Sequence, residues 1–203
     1  TGSVNRIDDF IDRRLEEMGL VAAPKVDDAG FIRRVTLDLT GRLPSPSAVA
    51  QFIESAATDK RSELINRLLQ SDEFIDFWTY RLALLLRVPQ AKGNPVAAKA
   101  YYNWLHDCVR RDVPLNEIAE QLLMAAGSVN ESGPANFYNV AGDARGQAEF
   151  VSQAFMGVRL QCANCHDHPL DAWTQDDYHG LAAIFARMKR GAEVRESTTG
   201  EVI

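Results

Sequence analysis

Ser71-Asp72-Glu73-Phe74-Ile75-Asp76-Phe77-Trp78-Thr79-Tyr80-Arg81-Leu82-Ala83-Leu84-Leu85-Leu86-Arg87-Val88-Pro89 is the stretch on which the fold class turns. A serine able to cap a helix opens it and a proline closes it. Between them Phe74, Phe77, Trp78, Leu82, Leu85 and Leu86 recur at helical spacing. They predict a core helix from Phe74 to about Val88 with a broad buried face. The longest aliphatic run, Leu82 to Leu86, is closed by Arg81 and Arg87. It falls far short of the ~20 apolar residues that cross a bilayer.

The same period continues on both sides. Upstream, Ile7, Phe10, Ile11, Leu15 and Met18 form one helical stripe that ends near Gly19. Asp27 or Asp28 caps a second helix through Phe31, Ile32, Val35, Leu37 and Leu39, with Gly41 as its stop. Thr36 to Thr40 alternates like a strand but has no partner strand nearby, so the helical reading is kept. Ser45-Pro46 opens a helix through Val49, Phe52 and Ile53, and Thr58-Asp59 another through Leu64, Ile65, Leu68 and Leu69. Downstream, Asn94-Pro95 starts a helix carrying Val96, Tyr101, Trp104, Leu105 and Cys108. A further helix after Pro114 carries Ile118, Leu122 and Met124.

Residues 127–143 break the pattern. Gly127-Ser128-Val129-Asn130-Glu131-Ser132-Gly133-Pro134 is turn chemistry, and the segment reads as a long internal loop. A helix over Gly146 to Met156 follows. Thr174-Gln175-Asp176-Asp177 resembles a capping box ahead of a last helix through Leu181, Ile184, Phe185 and Met188. Residues 190–203 read as a tail. The expected fold is all-α, an irregular multi-helix bundle without internal repeats or βαβ alternation.

At about 100–200 residues per domain, 203 residues allow one large domain or two small ones. The helical pattern on both sides of that loop favours a single helical domain over 1–203. The start at Thr1-Gly2-Ser3 and the polar end at Gly200-Glu201-Val202-Ile203 read as cut points in a larger chain. A net charge of −6 offers no basic surface, which argues against a nucleic-acid partner. Charged residues at 25% and hydrophobic ones at 46% are ordinary for a globular chain. No acid/base pair, nucleophile elbow or phosphate loop is visible, so no catalytic residue is assigned. The three cysteines, 108, 162 and 165, are too few for a disulfide scaffold at this length.

Two of those cysteines carry the chemistry. Cys162-Ala163-Asn164-Cys165-His166 is a C-x-x-C-H sequence, the pattern of covalent c-type haem attachment. Two thiols separated by two residues lie on one side of a helical turn, where each can add to a porphyrin vinyl group. The following imidazole is then directed at the iron. Cys162 and Cys165 are the candidate haem anchors and His166 the candidate axial ligand. A thioredoxin-like redox couple would require a βαβ pattern. A non-haem metal is the stronger alternative, because His168 adds a second imidazole to two thiols and suits zinc, iron or copper. Next to haem, His168 would instead act on the ligand shell or a propionate. Pro169 keeps the motif from opening a long regular helix. Met188 is the only methionine after His166, so a standard methionine-loop cytochrome does not fit. His106, His179, Met156 and Met188 are candidates for the distal side, which can also be empty. Cys108 reads as a buried helix residue.

Two distant segments then point to a family. Arg33-Arg34-Val35-Thr36-Leu37-Asp38-Leu39-Thr40-Gly41-Arg42-Leu43-Pro44 and the run from Leu160 through Cys162-Ala163-Asn164-Cys165-His166-Asp167-His168-Pro169-Leu170-Asp171-Ala172-Trp173-Thr174-Gln175-Asp176-Asp177 to Tyr178 resemble the planctomycete-type cytochrome c-like domains of unknown function. The similarity runs from about Val4 to Met188. The resemblance implies a c-type haem at Cys162, Cys165 and His166, an extracytoplasmic (periplasmic or exported) location, and a further domain downstream in the same chain. Trp173 would lie near the porphyrin edge or serve the core. The function expected is haem c binding with electron transfer to a redox partner or to that downstream domain. The alternatives are a structural or interaction module built on a non-haem metal, and a helical accessory domain whose motif carries nothing.

Overall fold

The computed structural model describes residues 5–88 and 94–197. Pro89, expected to stop the core helix, lies outside the described residues, as do Thr1-Gly2-Ser3 and residues 198–203 of the tail. The chain divides into two compact units, Thr1–Arg67 and Leu68–Ile203.

The first unit is helical: α1 (Arg6–Glu17), α2 (Asp28–Thr40), α3 (Pro46–Glu54) and α4 (Lys60–Leu69), whose last turn crosses the division. The caps are those the sequence specifies. Asp27 accepts from the Gly30 amide at 2.8 Å, Gly41 ends α2 at φ 67°, and Ser45 caps α3 ahead of Pro46. Glycine is needed at 41 because that φ lies in the left-handed region. Residues Thr36 to Thr40 are helical, as the lack of a partner strand implied. α2 and α3 pack through Phe31 stacked on Phe52, with ring centroids 6.0 Å apart. The Lys60 ammonium and the Arg61 guanidinium lie over those two rings and both reach Asp28, at 2.7 Å each. Their hydrogen bonds hold the Asp28 carboxyl below the usual carboxylate range. The stripe of α1 exists as expected, but no residue of α1 is buried.

The second unit holds α5 (Asp72–Leu85), α6 (Pro95–Arg110), α7 (Leu115–Leu123), α8 (Ala144–Val151) and α9 (Gln175–Ala186), with three short strands. The face that α5 buries differs from the expected one. Ile75, Thr79, Ala83 and Leu86 are buried, whereas Trp78 and Leu85 are exposed. Thr79 and Ala83 are small, which lets the α5 backbone approach α6; bulk alone did not decide the face. On α6 the buried stripe is Ala97, Tyr101, Leu105 and Cys108, close to expectation. Burial pushes the Cys108 thiol up, consistent with an inert core residue.

Residues 127–143 are mostly built into the structure. They contain β1 (Gly127–Ser128) and a 3-10 turn, Pro134–Asn139, in which Ala135, Asn136, Phe137 and Tyr138 are all buried. The tail likewise contributes β3 (Glu193–Glu196), which pairs antiparallel with both β1 and β2 (Met188–Lys189) and buries Val194. Asn136 makes this possible, since its buried amide donates to the Val129 and Gly133 carbonyls at 2.8 and 3.1 Å. A polar turn sequence is therefore internally satisfied and can lie in the core.

Burial also pushes the phenols of Tyr101, Tyr138 and Tyr178 above their ordinary value. These groups stabilise the fold fully below the unfolded tyrosine value of about 10, and the contribution is lost as pH rises beyond it, because the unfolded chain ionises first. Urea midpoints are accordingly expected to fall as pH rises above about 10. A Tyr178→Phe variant is expected to show a shallower fall; an identical fall in the variant would remove Tyr178 from that role.

Candidate functional site

The segment that carries the motif is set up by α8. Its helix passes into a π-helical stretch, Ser152–Met156, and Gly157 at φ 71° turns the chain out. The amides of Gly157 and Val158 both donate to the Ser152 carbonyl, closing that end. A 3-10 turn over Leu160–Asn164 follows, with Cys165 at its end. In a 3-10 turn side chains three residues apart eclipse. Leu160 and Ala163 accordingly face inward and are buried, while Cys162 and Cys165 share the outer side, exposed and unpaired.

His166 follows directly, also exposed. Its Nδ1 lies 2.7 Å from the Asp167 carbonyl oxygen. A carbonyl can only accept, so Nδ1 carries the proton and the lone pair of the neutral ring is on Nε2. The bond fixes the tautomer that a metal-binding imidazole needs. Gln175, the first residue of α9, braces both sides of this histidine. Its amide donates to the Asp167 carboxylate at 3.0 Å and its side chain donates to the Asn164 carbonyl at 3.2 Å. α9 itself starts from the expected capping box, with Thr174 and Asp177 exchanging hydrogen bonds. Those bonds to Thr174 hold the Asp177 carboxyl below its ordinary range.

His168 is used differently. Its backbone amide donates to the Trp173 carbonyl at 2.8 Å, and its Nδ1 accepts from the Leu170 amide at 3.3 Å, so the ring belongs to the turn around Pro169. Among the described residues no three His, Cys, Asp or Glu side chains converge as metal ligands. Trp173 packs on the small cluster of Leu160, Ala163 and Tyr178, beneath the motif. Of the distal candidates, His106 lies 3.4 Å from Asp76 and stacks on Tyr102, and His179 meets Tyr178 edge-on. Met156 ends the π-helical stretch and Met188 opens β2.

Glu149 went unnoticed in the sequence, yet it ties three elements together. From α8 it accepts the Tyr178 hydroxyl of α9 at 2.9 Å and the Gln161 side-chain amide of the 3-10 turn at 3.1 Å. Nothing local signals it, since its partners are 12 and 29 residues away. Burial, with the Glu149 carboxylate second, pushes the fully buried Tyr178 phenol up. Glu149→Ala strands that hydroxyl and is expected to cost about 1–3 kcal/mol in urea unfolding. Glu149→Gln keeps an acceptor and is expected to cost less; equal losses for the two variants would contradict this role.

A family model described as PSCyt2, protein of unknown function (DUF1549), matches residues 6–190. No curated protein and no solved structure matches the chain.

Proposed function

The chain belongs to the PSCyt2 family, cytochrome-like domains of unknown function, and from that premise we propose that it is a c-type haem-binding domain serving electron transfer. One observation carries the reading: His166 presents Nε2, with Nδ1 bonded to a carbonyl, beside two unpaired thiols on the same side of one turn. This donor set fits the group. Cys162 and Cys165 would hold haem c through two thioethers, and His166 would supply the axial nitrogen. When bound, the haem provides a one-electron couple tuned by its axial ligands and its burial. The residues present do the positioning. Asp167 orients the imidazole, Gln175 holds the backbone on either side of it, and Glu149 fastens the turn to α8 and α9.

The domain acts outside the cytoplasm, where haem c is attached, and passes electrons to a redox partner or to a downstream domain of its own chain. No helix among the described residues is long and apolar enough to cross a membrane. Protein matured in a haem-c-competent host is expected to show a Soret band that survives acid–acetone extraction. A colourless product carrying stoichiometric zinc or iron would overturn the reading.

A further inference from the structure

Immediately before the motif, Arg159, Leu160 and Gln161 form one wall of a small polar cavity of about 220 Å³, whose other walls include Arg87, Gly142 and Glu149. Its charges are unbalanced. Two arginines, Arg87 and Arg159, line it with a single acidic residue, Glu149, and both oxygens of that carboxylate are taken by Tyr178 and Gln161. Among the described residues neither Arg87 nor Arg159 has a carboxylate partner. Arg87 is nevertheless held in place, its guanidinium lying 4.3 Å from the Phe150 ring centre. It also takes a left-handed backbone, φ 57°, that an arginine adopts at a cost. Two unpaired guanidiniums at a polar cavity are the chemistry that receives a carboxylate, since their forked donors match its two oxygens.

We propose that this cavity is a carboxylate-binding subsite, with Arg87 and Arg159 as its two donors. Its volume sets the size of the occupant. Drug-sized ligands occupy pockets of about 300–1,000 Å³, so this smaller one takes a short-chain carboxylate and no porphyrin ring. Two sources share that chemistry: a free short-chain carboxylate, or the propionate arm of a haem attached one residue away at Cys162. The second source rests on the function proposed above; the subsite itself does not.

The test is an NMR titration of the unmodified chain with sodium propionate, against sodium chloride at matched ionic strength. Saturable shifts of the Arg87 and Arg159 Nε–H signals are expected with propionate alone, with millimolar affinity. Arg159→Gln, at an exposed position, is expected to weaken binding about tenfold with an unchanged melting temperature. Repeating the titration on haem-carrying protein identifies the source. Lost propionate binding assigns the site to the haem's own arm, and retained binding assigns it to a free carboxylate; both support the subsite. No saturable shift in the unmodified chain, or binding unaltered by Arg159→Gln, overturns it. A chain that acquires no covalent haem would refute the haem reading separately and leave the titration of the unmodified chain decisive for the cavity.

Discussion

Replacing Cys162 and Cys165 together by alanine is expected to remove all covalently bound haem from protein matured in a haem-c-competent host, with helix content unchanged. The loss should be complete because the two thiols are the only attachment points the motif offers. The fold should survive because both side chains are exposed, while Leu160 and Ala163 anchor the same turn from its inner side. Exposed substitutions of this kind change stability by no more than about 0.5 kcal/mol, which in a chain of this length moves the melting temperature by about 2 °C or less. Circular dichroism melts and a denaturing gel stained for haem read the two quantities separately. Collapse of the fold in the double variant would point instead to a structural metal at the cysteines.

Phe137→Ala carries the largest expected stability loss, about 3–5 kcal/mol, as for other fully buried aromatic side chains. Phe137 has no exposed surface, and its ring meets those of Tyr138, Phe150 and Phe155 at centroid distances of 6.0, 5.2 and 6.1 Å. Phe150 lies on α8 and Phe155 in the π-helical stretch that leads to the motif. The cavity left by Phe137 would therefore loosen the support of the turn that carries the C-x-x-C-H motif as well as the core. Phe10→Ala on α1, a residue 58% exposed, provides the contrast and is expected to stay within about 0.5 kcal/mol. Similar urea midpoints for the two variants would contradict the placement of Phe137 in the core.

These two phenylalanines also show where a sequence is legible. Helix ends were readable because their causes are local: Asp27 with Gly30, Ser45 with Pro46, and Thr174 with Asp177 each act within a few residues. Which face a helix buries is not local. Phe10 sits on a regular apolar stripe yet is exposed, while the core face of α5 runs through Thr79 and Ala83, which hydrophobicity alone does not mark. Phe137 was hidden in turn-forming sequence, because the pairing of β1 with β3 and the hydrogen bonds of Asn136 are what make that segment internal.

The site divides in the same way. Five consecutive residues were enough to nominate Cys162, Cys165 and His166 as the candidate site, since that nomination depends on spacing alone. The tautomer of His166, its bracing by Gln175 and the clamp by Glu149 depend on how the 3-10 turn meets α8 and α9. Trp173 lies in the inner cluster under the turn, a position that its place in the motif region did not specify.

The haem reading stands or falls on a covalent bond from Cys162 and Cys165 to the porphyrin. Intact mass measurement under denaturing conditions, on protein from a haem-c-competent host, tests it most directly. One haem per chain is expected, carried by the peptide containing residues 160–170, with neither Cys162 nor Cys165 open to alkylation. A chain of unmodified mass, with all three cysteines alkylated after denaturation, would contradict it.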